Sequence, residues 1–143
     1  MKRLAAYAVF FLVYAAFSLL GSWSLETTSL DDSLAAGIVL SILAAPAALL
    51  IARFAGEMRL SGVAMTSGAL LVLTWAAIIG ILVAVAAPSI GGASLGYVAT
   101  TAGNIFRTGG WQLLANAAVV VAAPMVWFWL LRHQRPFTGS VAA

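Results

Sequence analysis

The chain has 143 residues, of which 64% are hydrophobic and only 8% charged, with a formal net charge of +3. A soluble domain carries about a quarter charged residues and needs polar groups to cover its surface. This composition therefore excludes an ordinary soluble domain and calls for a bilayer as solvent.

The small positive charge gives no ground for a nucleic-acid partner, and the length leaves no segment for a separate soluble domain. Without Cys, disulfides, iron–sulfur clusters and thiol catalysis are excluded. The expectation is a single all-α membrane domain over 1–143. It has four transmembrane helices, both termini on the cytoplasmic side, and a short amphipathic interfacial helix between the third and fourth.

After the basic start Met1–Arg3, the first span is expected over 4–23, carrying Tyr7, Phe10, Phe11, Tyr14 and Phe17. A cleaved signal peptide competes, because Lys2 and Arg3 resemble a basic leader. The apolar run is longer than the ~7–15 residues of such a leader's core, and no clear small-residue cleavage site follows. Residues 24–33 form a short polar loop in which Ser29-x-x-Asp32 resembles a capping box for the next helix.

The second span is expected over 34–54, with a kink at Pro46, which removes one backbone hydrogen bond. Gly37, Ser41 and Ala45 recur every four residues, as do Ala44, Ala48 and Ala52, and small residues at that spacing let helix backbones approach closely. The connection 55–61 is tight, which makes the second and third helices expected antiparallel neighbours, and Arg53 and Glu57 have the i,i+4 spacing of a helical ion pair.

The strongest stretch is the third span, 62–87, set in a run from Leu60 to Phe106 with no charged residue. About 20 apolar residues suffice to cross the hydrocarbon core. Pro88 ends it, Ala76, Gly80 and Ala84 form a further small-residue stripe, and Thr66, Ser67 and Thr74 can bond back to their own helix.

Between Gly91–Gly92 and Gly109–Gly110, residues 97–108 have an amphipathic pattern. Thr100, Thr101, Asn104, Arg107 and Thr108 fall on one face, and Val98, Ala102, Ile105 and Phe106 on the other. Such a helix rests in the interface, or serves as a lid or docking surface, with Val98, Ile105 and Phe106 as the partner-facing side.

The fourth span is expected over 111–131, kinked at Pro124 and flanked by Trp111 and by Trp127, Phe128 and Trp129 as interfacial aromatics. Lys2, Arg3, Arg53, Arg59, Arg132 and Arg135 then share one side and Arg107 alone lies on the other, which by the positive-inside rule puts both termini inside. Ala-Ala-Pro occurs at Ala44–Pro46 and again at Ala122–Pro124, a repeat that duplication and chance explain equally well.

No Asp, Glu, Lys, Arg or His falls near the centre of a span, so a membrane-embedded carboxylate relay is excluded. His133 is the sole histidine and cannot supply both ligands of a bis-His haem or a metal set, so no cofactor, metal or catalytic residue is assigned. The intramembrane candidates are Asn116, Pro46, Pro124 and Tyr14, as helix-packing residues or as the lining of a substrate path.

Three functions follow. The first is a non-enzymatic accessory or scaffolding subunit of a larger membrane complex, joined to other membrane subunits or to itself. The second is a small homo-oligomeric transporter or channel. The third, a lipid-active enzyme, lacks an interfacial acid, base or nucleophile. Abundant Ala and Gly without Cys fit a prokaryotic inner membrane.

Overall fold

The structure, a computed structural model, describes residues 1–24, 30–86 and 94–133. Ser29, on which the expected cap depends, lies outside these residues, as do the stop at Pro88, Gly91, Gly92, Arg135 and the tail 136–143. The described residues form four α-helices: α1 (Lys2–Ser24), α2 (Leu30–Ala55), α3 (Leu60–Ala86) and α4 (Leu95–His133). Three stretches, Ala35–Ala55, Leu60–Val85 and Leu95–His133, are long and apolar enough to cross a membrane.

Two expectations are corrected. Residues 97–108 are helical, but they are not a separate element. They are the first part of α4, whose 39 residues run unbroken through Gly109 and Gly110. At ~1.5 Å per residue this helix is about 58 Å long, roughly twice the thickness of a hydrocarbon core. Two interior glycines cost only ~1 kcal/mol each relative to alanine. Opening the backbone ladder would also forfeit the contact of Leu113 over Gly109, whose added Cβ would lie 3.1 Å from the leucine side chain.

The second correction concerns the neighbours of α2. Contacts join α1 to α2, α2 to α4, α4 to α3 and α3 to α1, and none join α2 to α3 among the described residues. The bundle order is therefore α1–α2–α4–α3, and the link Gly56–Arg59 crosses a diagonal. Four extended residues span about 13 Å, close to the diagonal of helices packed 8–10 Å apart.

Close contacts with α1 hold the link on this course. A Cβ at Gly56 would come within 2.5 Å of the Lys2 carbonyl oxygen. The Arg59 N–H donates to the Tyr7 hydroxyl at 2.9 Å. The Tyr7 ring lies directly on Gly62, leaving no room there for a side chain.

The core shows why this arrangement packs. Phe10 and Tyr14 are fully buried and stack with ring centroids 5.5 Å apart. Against these large rings α2 offers small side chains: Ser41, Ala44, Ala45, Ala48 and Ala52 are all buried. Both small-residue stripes of α2 are thus used, because this helix packs on α1 and on α4. By contrast α3 turns most of its surface outward, with Met65, Val72, Ile81 and Val85 exposed.

Candidate functional site

The two prolines organise the polar chemistry of the interior. A proline inside a helix has no N–H, so the carbonyl four residues earlier loses its donor. Pro124 frees the Val120 carbonyl, and Pro46 frees that of Ile42. Both are supplied from another helix. The Tyr14 hydroxyl of α1 donates to the Val120 oxygen at 3.1 Å. The Trp127 indole Nε1–H of α4 donates to the Ile42 oxygen, also at 3.1 Å.

Helices tolerate proline in apolar surroundings when neighbours satisfy the freed groups in this way. Ser41 lies within side-chain hydrogen-bonding range of the same Tyr14 hydroxyl. The result is a lock of three helices: α1 tied to α4 by Tyr14, and α4 tied to α2 by Trp127.

Asn116 lies one turn before Val120 on α4, against Gly37 of α2. A Cβ at Gly37 would sit 2.8 Å from the Asn116 amide nitrogen. Tyr14, Pro46, Pro124 and Asn116 therefore all lie along the α1–α2–α4 side of the bundle. Val98, Ile105 and Phe106 lie far from them, on the first turns of α4. Val98 and Ile105 are half-buried, and Phe106 stacks on Trp75 of α3 at 5.8 Å while remaining 56% exposed.

Among the serines and threonines of α3, Thr66 bonds back to the Gly62 carbonyl at 2.7 Å as expected. Ser67 does not: its hydroxyl is fully buried without a partner. Among the described residues, no three His, Asp or Glu side chains gather at a potential metal site.

A second site opens at the end of the bundle where α1 starts and α4 ends. A cleft of about 920 Å³ is bordered by Lys2, Arg3, Arg53, Arg59 and Arg132, with Glu57 as its one carboxylate. Glu57 pairs with Arg3 at 3.4 Å. The expected Arg53–Glu57 helical pair is not the one observed, because α2 ends at Ala55 and Glu57 leaves with the link. Apolar side chains, among them Leu49, Phe128 and Leu131, line the cleft beside these charges. His133 stands beside it, its Nδ1 2.8 Å from the Trp129 carbonyl oxygen.

Sequence reasoning missed two of these bonds. Trp127, read as part of an interfacial aromatic belt, donates to the Ile42 carbonyl, and the Tyr7 hydroxyl accepts from the Arg59 N–H. One signal was available: a proline names the carbonyl four residues before it, and an aromatic donor is the natural partner in an apolar interior. No protein-family model, curated protein or solved structure matches the chain.

Proposed function

We propose that this chain is an accessory or scaffolding subunit of a larger membrane complex. It spans the bilayer four times with both termini on the cytoplasmic side, in a prokaryotic inner membrane. The observation that carries the reading is the open face of α3. Ala76, Gly80 and Ala84 all lie exposed on it, and a Cβ at Gly80 would meet no atom within 4 Å. Small residues in register let a second helix approach closely in lipid, so this face supports docking of a further transmembrane helix.

The proline lock tells against the transport reading. Transporters use unwound carbonyls and helix ends near the midplane to hold their cargo. Here the carbonyls freed by Pro46 and Pro124 are occupied by Trp127 and Tyr14. They serve rigidity, which is what a scaffold needs.

The test is gentle extraction at native expression level, followed by native-mass separation and identification of co-migrating chains. Stoichiometric foreign subunits are expected. Gly80→Leu should strip them away while leaving the melting temperature of the isolated chain unchanged. A particle containing only this chain would overturn the proposal and direct attention to flux assays.

A further inference from the structure

We propose that the basic cleft between the start of α1 and the end of α4 is a binding site for the phosphodiester headgroup of an anionic phospholipid. The inference rests on the membrane reading above and adds to it a ligand class.

Charge is the first argument. Five cations from α1, α2, the α2–α3 link and α4 converge on one cleft. Glu57, the one carboxylate among them, is engaged by Arg3. Like charges brought together from separate elements repel one another, and an anion among them relieves the repulsion.

Shape and lining are the second. A phosphate alone would occupy a small part of about 920 Å³. Leu49, Phe128 and Leu131 also line the cleft; they offer nothing to a free inorganic anion and suit the glycerol and first methylenes of a lipid. Position is the third. In the proposed orientation the cleft lies at the cytoplasmic headgroup level, where basic pockets between helices meet anionic lipid. Arg107, the remaining described cation, lies at neither this cleft nor its neighbour.

The test uses the full chain in detergent, titrated by native mass spectrometry with phosphatidylglycerol and with phosphatidylcholine of identical acyl chains. Phosphatidylglycerol should be retained about tenfold better, because each juxtaposed cation contributes a several-fold preference. The double variant Arg53→Gln/Arg132→Gln should reduce the preference to about twofold or less, with unchanged helix content by circular dichroism. Arg107→Gln, which removes the same kind of charge elsewhere, should leave it intact.

Equal retention of the two lipids would overturn the proposal, as would an equal loss in Arg107→Gln. In a separate arm, millimolar inorganic phosphate is added to protein in phosphatidylcholine nanodiscs. A rise in melting temperature matching that from phosphatidylglycerol would overturn the lipid assignment in favour of a soluble anion. An alkaline wash of native membranes is read in parallel. Loss of the chain from the pellet overturns the membrane reading and the lipid site together, whereas retention without lipid discrimination overturns the lipid site alone.

Discussion

At the scale of single residues, the interior is built on two vacancies in the backbone and two side chains that fill them. Tyr14 and Trp127 each donate to a carbonyl that a proline has released. Tyr14→Phe keeps the ring stack on Phe10 but removes the donor, leaving the half-buried Val120 oxygen without that partner, which costs about 1–2 kcal/mol. The cost should shrink in a Pro124→Ala background, because the new amide at position 124 bonds Val120 within its own helix.

A double-mutant cycle on unfolding free energy measures this coupling, and strict additivity would refute the assignment. Ser67 makes the converse case. Its buried hydroxyl has no partner, so Ser67→Ala should raise stability by up to ~1 kcal/mol in the same assay. The prolines themselves were legible in the sequence, because their covalent geometry is local. Their partners were not, because residues 14 and 120 meet only after three helices have packed.

At the scale of elements, the four helices differ in how closely they are fitted. Gly37 and Gly62 are filled from outside, by Asn116 and by the Tyr7 ring, while Gly80 faces open space. Alanine scanning of these three glycines should therefore split. Gly37→Ala and Gly62→Ala should lower the melting temperature, because a Cβ there displaces a packed side chain. Gly80→Ala should be neutral or stabilising by up to ~1 kcal/mol, since alanine is the better helix former and meets nothing.

The continuity of α4 is also measurable. The chain has no native Cys, so spin labels at Thr100→Cys and Ala118→Cys are unambiguous. Their backbone separation in an unbroken helix is about 27 Å. A much shorter distance would mean a bend at Gly109–Gly110. The amphipathic pattern of 97–108 was real in the sequence, and the polar side does face outward at Thr100, Asn104, Arg107 and Thr108. The pattern could not reveal whether two glycines end the helix. That depends on whether surrounding contacts, here Leu113 over Gly109 and Phe106 on Trp75, outweigh their weak propensity.

At the scale of the whole molecule, the diagonal link sets the architecture. With α2 and α3 on opposite corners, α1 and α4 are the helices through which every other contact runs. Paired cysteines at Gly37 and Asn116 should cross-link α2 to α4. Pairs from the outer faces of α2 and α3, such as Leu43 with Met65, should not, and efficient cross-linking of the latter would overturn the bundle order.

The sequence by itself determined the all-helical class, the long apolar stretches able to cross a membrane and the positions of both prolines, but not the start of α4, which lies at Leu95 rather than at 111. Long apolar runs must satisfy their own backbone, and only a helix does so within one segment. The basic residues were also legible as a set, and five of them border one cleft. Tertiary structure alone decided which helices are neighbours, which aromatic reaches which freed carbonyl, and that the cations border one cleft together with apolar side chains. These properties are distances between residues far apart in the chain. Hydropathy, a property of each residue taken singly, carries no information about them in a sequence where most residues are apolar.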